Sequence, residues 1–312
     1  MSVLGMAPLT VHDITPSADG YALVLHGGAG GRVEELSLEE QGRYGEGLAA
    51  AFRAGEEILQ ANGSALDAVC ATVISLENNP LFNSGLGAAL TATGKAELDA
   101  AIMTGDGRAG AIAASRHAKN PILVARKVME DSEHVLLVGP SESLVKGWGL
   151  ETVSPEYFVT PARVRQLAGV QARTVEASRH GTVGAVAVDR HGRVAAATST
   201  GGMVNQRDGR VGDTPVIGAG TFARDGVVAV SCTGEGEAFI EGVVAHEIAS
   251  RMRHGGSDLA AAVGDTIIAE LDSRGASGGI IAVGADGHVV VAHNSPAMFA
   301  GYRANSIVVT LT

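Results

Sequence analysis

Large rings are scarce in this chain: six Phe, four Tyr and one Trp, only 4% of 312 residues, so its core must be built from aliphatic and small side chains. Cysteine is nearly absent. Cys70 and Cys232 both sit in apolar stretches, which excludes a disulfide scaffold and suits buried small hydrophobes in a reducing compartment. Positive charge is short as well, with 23 Lys and Arg against 34 Asp and Glu and a net charge of -11. No basic cluster is available to neutralise phosphates, so a nucleic-acid partner is not expected. No apolar run approaches the roughly 20 residues of a membrane span, and Met1 to Gly20 lacks the basic-then-apolar order of a secretory leader. These absences point to a soluble, cytoplasmic protein without a membrane partner. What is abundant is apolar and small: hydrophobic residues make up 46% and glycine 43 positions, enough for a sizeable core with many turns and close backbone approaches.

Along the chain, "YALVLHGGAGG" from Tyr21 reads as a buried strand entering a glycine turn. Ser37 with Glu40 has the spacing of a capping box and opens a helix that stops at Asn62-Gly63. A second helix spans Ser64 to Asn78. Strands follow in "KAELDAAIM" and "GAIAAS", then a helix from Asn120-Pro121 to about Met129, the strand "HVLLVG", and a helix over Ser141 to Leu150. Residues of about 159–181 turn polar and basic with weak periodicity and read as a mobile linker with at most one helical turn. Beyond them, "TVGAVAVD" and "RVAAATST" flank a hairpin turn at Asp189 to Gly192, and "VVAVSCTG" is another buried strand. "EAFIEGVVAHEIASRMRHGG" reads as one helix with Gly255 beyond its end, Ser257 to Leu271 as another, and "GGIIAVGADGHVVVAHN" as a further hairpin. Strands apolar at nearly every position are covered on both faces. With helices grouped between strand groups, two sheets packed face to face with helices outside satisfy the pattern. The hairpins argue against the alternative, a doubly wound parallel sheet.

One junction needs explaining. In "RHGTVGAVAVD" the polar tract ends at Gly181 and a buried strand begins at Thr182 with no turn of its own. A break between Gly181 and Thr182 accounts for this, because the mature strand then starts a chain; a structural threonine at the head of an ordinary strand, where Gly-Thr is common, is the alternative. Thr182 would carry a hydroxyl and a free α-amine on one residue. A hydroxyl needs a base to become a nucleophile, and an α-amine with a pKa of about 7.7–8.0 supplies one near neutrality. The Thr182 hydroxyl can itself attack the Gly181 carbonyl and give an ester that water resolves.

The surrounding motifs carry a resemblance. "LHGGAGG", "PLFNSGLGAALTATGKAELDAAIM", "KNPILVARKVME", "GTVGAVAVD", "ATSTGGMVNQRDGRVGDTPVIGAGTFA" and "VSCTGEGEAFI" occur in this order. As a set they closely resemble the plant-type L-asparaginase/isoaspartyl peptidase family of threonine N-terminal-nucleophile hydrolases. The resemblance implies an α+β fold, a four-layer αββα sandwich of two packed, mainly antiparallel sheets. It implies self-cleavage into an α subunit, residues 1–181 including the linker, and a β subunit, residues 182–312, together one domain and assembled as (αβ)2. It implies hydrolysis of L-asparagine to aspartate and ammonia, and of β-aspartyl dipeptides, through an acyl-enzyme on Thr182. Thr200 matches the threonine that orients the nucleophile. Arg210 and Asp213 match a clamp on the substrate's α-carboxylate and α-ammonium, Thr233 and Gly234 the oxyanion hole, Gly236 a backbone contact to substrate, and Asn83 a residue beside the nucleophile. No cofactor is required; a sodium ion held by backbone carbonyls in the loop Leu76, Glu77, Asn79, Phe82, Ser84, Leu86 is the one metal the family implies.

Other readings stand beside these. Arg210 and Asp213 also suit an ordinary surface ion pair, and Thr200 and Thr233 strand-end hydroxyls. "HGGAGG" lacks the spacing of a dinucleotide loop and reads as structural, bringing backbone close to the strand of Thr182. "HEIASRMRH" breaks the H-E-x-x-H pattern, which leaves His246 and His254 as helix-surface residues. Glu235 must point away from the oxyanion residues, and His180 leaves with the linker. A glycosylasparaginase-like hydrolase and an uncut aspartate-binding protein are the alternative functions.

Overall fold

In chain order the strands and helices are β1 (Thr10–Ile14), β2 (Ala22–Ala29), α1 (Leu38–Gln60), α2 (Ala65–Glu77), β3 (Leu98–Thr104), β4 (Ala109–Ser115), α3 (Pro121–Asp131), β5 (Leu136–Val138), α4 (Glu142–Gly147) and α5 (Pro161–Gln171). The second half adds β6 (Thr182–Val188), β7 (Val194–Thr200), β8 (Thr221–Arg224), β9 (Val228–Gly234), α6 (Gly236–Gly242), α7 (Val244–Gly255), α8 (Leu259–Thr266), β10 (Gly278–Gly284), β11 (Val289–His293), β12 (Met298–Ala304) and β13 (Ile307–Leu311). The computed structural model describes residues 7–30, 36–172, 181–304 and 307–311.

The helix starts are set locally. Ser37 accepts from the Glu40 N–H while the Glu40 carboxylate takes the Ser37 N–H at 2.9 Å, so the expected capping box is formed. Ser64 caps α2 in the same way through the Asp67 N–H, and Pro121 occupies the first turn of α3.

The strands form two sheets. One has five strands in the order β1-β11-β10-β9-β8, the other eight in the order β13-β12-β2-β6-β7-β3-β4-β5. Among the strands of the described residues only β4 and β5 pair in parallel; the antiparallel registers elsewhere, β6 on β7 among them, exclude a doubly wound parallel sheet. In β6, Val183, Ala185 and Ala187 pack under α2, while Val186 and Val188 face the five-stranded sheet. β7 alternates likewise, with Ala195 and Ala197 on the helix side and Val194 and Ala196 between the sheets. The outer face of the five-stranded sheet is covered by α7 and α8 through residues such as Ile248, Ala249, Leu259 and Val263. The fold is α+β, a four-layer αββα sandwich. Among the described residues no helix is long and apolar enough to cross a membrane.

The structure corrects three local expectations. The segment read as a mobile linker holds a helix at 161–171, capped by the Thr160 hydroxyl, and its residues 173–180, His180 included, lie outside the described residues. Its periodicity is weak because Leu167 alone is buried, against Ala88, Leu90 and Phe158; its polar side chains dock instead, Arg163 Nε on the Gly87 carbonyl at 2.6 Å and Gln171 Nε2 on that of Ala92 at 3.0 Å. The single helix expected from 237 to 254 is broken at Val243, a β-branched residue in the left-handed region at φ 47° and ψ 44°. The break lets the first N–H groups of α7 reach loop carbonyls, Ala245 to Ala219 and His246 to Gly218. Gly255 lies within α7, and Gly256 is the left-handed cap. Strands β1, β8, β12 and β13 carry no clear sequence signal: β8 has four residues, and β1 is a half-exposed edge.

Candidate active site

The face of β6 that looks across to the second sheet carries Thr182, β7 contributes Thr200 and β9 contributes Thr233, so the three threonines meet at one end of the gap between the sheets. Thr182 Oγ1 donates to Thr200 Oγ1 at 3.1 Å, and Thr200 Oγ1 also accepts from the Gly202 N–H at 3.1 Å. Thr233 Oγ1 accepts from the Thr182 N–H at 3.4 Å and from the Ala29 N–H at 3.2 Å. Gly234 ends β9 directly beyond it, at φ +150°, and a Cβ there would stand 2.6 Å from Gly278 Cα. All three threonines are buried, where a hydroxyl without a partner would cost roughly 1–3 kcal/mol.

The Gly181–Thr182 bond is wedged between two glycine-dependent contacts. A Cβ on Gly28, at φ +118°, would lie 2.9 Å from Gly181 Cα, so the "HGGAGG" turn does bring backbone against the junction. A Cβ on Gly181 would lie 2.8 Å from the Cβ of Asn83. Asn83 thus flanks the junction, but its amide is committed: Nδ2 donates to the Gly202 carbonyl at 2.7 Å and Oδ1 accepts from the Ala89 N–H at 2.6 Å. It holds the loop after Thr200.

Arg210, Asp213 and Gly236 also come together. A Cβ on Gly236 would stand 2.8 Å from Asp213 Oδ1 and 3.1 Å from Arg210 Nη2, so this glycine opens the space between the two charges. Asp213 is buried, and its Oδ2 has no hydrogen-bond partner among the described residues. Burial pushes its carboxyl up to about 7, with its own backbone N–H and Arg210 opposing and Glu237 and Asp99 adding to the rise. The ordinary surface pair between Arg210 and Asp213 is not formed. Arg210 instead gives its Nε and Nη2 edge to Glu237, at 2.8 and 2.9 Å, and Nη1 reaches Gln206 Oε1 at 3.3 Å. The loop bearing Arg210 and Asp213 hangs on β3 and the residue before it: Glu97 Oε2 accepts from the Gly209 N–H at 2.8 Å, and Asp99 from that of Gly212.

In the loop from Leu76 to Leu86, backbone carbonyls converge on glycines. A Cβ on Gly85 would lie 2.3 Å from the Glu77 carbonyl oxygen, and one on Gly87 would lie 2.1 Å from that of Phe82. The carbonyls of Leu76, Asn79, Phe82 and Ser84 each already accept at least one backbone N–H. The Glu77 side chain turns away from them, taking Ser199 Oγ at 2.7 Å, the Ile122 N–H at 3.0 Å and Asn120 Nδ2 at 3.0 Å. Full burial raises its pKa to about 7 despite these donors. Glu235 Oε1 accepts from the Ser277 N–H at 3.1 Å. His246 and His254 are exposed on α7, and both cysteines are buried and free. No cluster of metal-ligating side chains occurs among the described residues.

Sequence reasoning missed Glu237, Gln206 and His26. Glu237 and Gln206 lie within the quoted motifs, but nothing local marks them as partners of Arg210. In sequence His26 reads only as part of the strand entering a glycine turn; its burial depends on a strand more than 200 residues away.

The chain matches the family model described as "Asparaginase" over residues 19–311. The isoaspartyl peptidase of Salmonella typhimurium is 45% identical over 291 residues, covering 89% of this chain and 93% of its own length. That of Escherichia coli is also 45% identical, with 89% and 91% covered. The probable isoaspartyl peptidase/L-asparaginase 2 of Arabidopsis thaliana is 39% identical over 313 residues, with 90% and 95% covered. The chain belongs to this asparaginase family.

Proposed function

We propose that this chain is an autoprocessing amidohydrolase that converts L-asparagine to aspartate and ammonia and cleaves β-aspartyl dipeptides. One arrangement carries the reading: a buried threonine whose hydroxyl rests on Thr200, sharing a site with Arg210 and a buried carboxylate oxygen that has no hydrogen-bond partner among the described residues. An α-amino acid brings what that site lacks, an ammonium for Asp213 and a carboxylate for the Nη1 and Nη2 edge of Arg210. The names of the relatives support the same substrates.

In maturation, Thr182 Oγ1 attacks the Gly181 carbonyl carbon. The C–N bond breaks, the acyl group passes to oxygen, and water cleaves the ester, leaving Gly181 as a carboxylate and Thr182 with a free amine. In turnover that amine takes the hydroxyl proton as Oγ1 attacks the side-chain carbonyl of the substrate. The Thr233 hydroxyl and the Gly234 N–H receive the developing oxyanion. The amine then returns its proton to the departing ammonia or amine, and water releases aspartate from the β-aspartyl ester. Because Arg210 and Asp213 grip only the amino-acid end, the leaving group is loosely specified.

Carbonyls of Leu76, Glu77, Asn79, Phe82, Ser84 and Leu86 suit a hard monovalent cation such as sodium, which would brace the loop that carries Asn83. The two subunits, 1–181 and 182–312, remain one domain and pair as (αβ)2, and the enzyme works in the cytoplasm. The test is Thr182→Ala. The wild type is expected to resolve into two bands on denaturing electrophoresis, one starting at Thr182, and to release ammonia from asparagine. The variant is expected to stay whole and inactive; an active or cut variant refutes the reading.

A further inference from the structure

Beneath the three threonines lies another layer of side chains, displaced by two residues along each strand: Gly184 on β6, Thr198 on β7 and Ser231 on β9, with His26 of β2 between them. His26 is fully buried. Its Nδ1 is 2.9 Å from the carbonyl oxygen of Thr182, and its Nε2 is 2.9 Å from Ser231 Oγ. Ser231 Oγ is 2.8 Å from Thr198 Oγ1, which accepts from Thr221 Oγ1 at 2.7 Å. A carbonyl can only accept, so Nδ1 carries the proton and Nε2 accepts from Ser231. The hydroxyls of Thr198 and Thr221 then donate in turn, and the chain has one direction, toward Thr182. Burial holds the imidazole neutral, with its pKa lowered to about 3. Gly184 makes room for the ring: a Cβ there would stand 2.1 Å from Ser231 Oγ and 2.5 Å from His26 Nε2.

The backbone explains why a side chain is needed. Pairing of β2 with β6 runs from Ala22↔Val188 to His26↔Gly184 and stops. Past that point the register breaks: Gly28 stands against Gly181, while β2 continues alongside β12. The Thr182 carbonyl therefore has no ladder partner on β2 at the residue that cleavage turns into a chain end. Chain ends fray unless tied down.

We propose that His26 is the positioning residue for the nucleophile, its Nδ1–H replacing the missing ladder bond and fixing Thr182 against Thr200 after the chain is cut. The proposal rests on the reading of Thr182 as nucleophile. Asparagine at position 26 places an amide N–H where Nδ1 stood; glutamine places it where Nε2 stood and gives up the bond to Thr182. A side chain that merely filled space would tolerate glutamine as well as asparagine. After maturation is followed by electrophoresis, kcat and KM for L-asparagine are measured on the cut fraction of wild type, His26→Asn, His26→Gln and Ser231→Ala, with thermal melts to confirm folding. His26→Gln is expected to lose about tenfold or more in kcat at nearly constant KM, because the clamp on Arg210 and Asp213 is untouched. His26→Asn is expected to keep most of kcat, and Ser231→Ala to lose only severalfold. Equal kcat for folded His26→Asn and His26→Gln, or a loss that falls on KM, overturns the proposal. Should neither substitution at position 26 fold, Ser231→Ala decides alone, and unchanged kcat there overturns it. None of these outcomes touches the nucleophile reading, which fails only if Thr182→Ala is cut or active.

Discussion

Replacing Asp213 by asparagine tests stability and binding together. The carboxyl is buried with one oxygen unpartnered among the described residues, and burial raises its pKa from the usual 3.8 to about 7. Below pH 4 the group is protonated in both folded and unfolded chains and contributes no difference. Between about 4 and 7 the unfolded chain gives up the proton while the folded chain keeps it, so stability falls as pH rises. Above 7 the folded protein holds a buried charge, a penalty on the order of 4 kcal/mol. Asparagine keeps the shape and never ionises. Asp213→Asn, made in an uncut Thr182→Ala background to hold the chain state constant, should therefore match its parent in urea at pH 4 and exceed it at pH 8.5. In cleavage-competent protein the same change should raise KM for asparagine about thirtyfold or more, since a desolvated charge pair loses one partner. A variant no more stable than its parent at pH 8.5, or a KM shifted less than about threefold, refutes the account of Asp213.

Two further substitutions probe the same site. Gly28→Ala forces a Cβ to within 2.9 Å of Gly181 Cα at a backbone φ of +118°, so maturation should slow markedly, read as the ratio of whole to cut chain over time. Wild-type cleavage kinetics in this variant would mean that the glycine turn does not press on the junction. Glu237→Gln should raise KM about threefold to tenfold with kcat nearly constant, because Arg210 loses the carboxylate that orients it, while the melting temperature barely moves, Glu237 being 58% exposed. A fall in KM would show that Glu237 competes with substrate for the guanidinium.

What the sequence determined by itself was whatever is encoded within one turn or one strand. The capping box at Ser37, the hairpin turn at Asp189 to Gly192, and the position of Thr182 at the head of a seven-residue buried strand follow from neighbours in the chain, and the structure has them in place. The ordered motifs named the candidate residues, and the fold brings Thr182, Thr200 and Thr233 within hydrogen-bond reach and sets Arg210 beside Asp213. Tertiary structure decided the rest. Val243 adopts a left-handed conformation that its side chain disfavours, because α7 finds partners for its first N–H groups on Gly218 and Ala219. Helix α5 holds because Gly87 and Ala92, far away in sequence, accept from Arg163 and Gln171. Arg210 turns to Glu237, and His26 bridges Thr182 and Ser231, which lie 156 and 205 residues from it in sequence. Propensity and periodicity report only on residues a few positions apart, whereas burial and hydrogen-bond satisfaction between packed sheets depend on which distant strand the fold sets opposite.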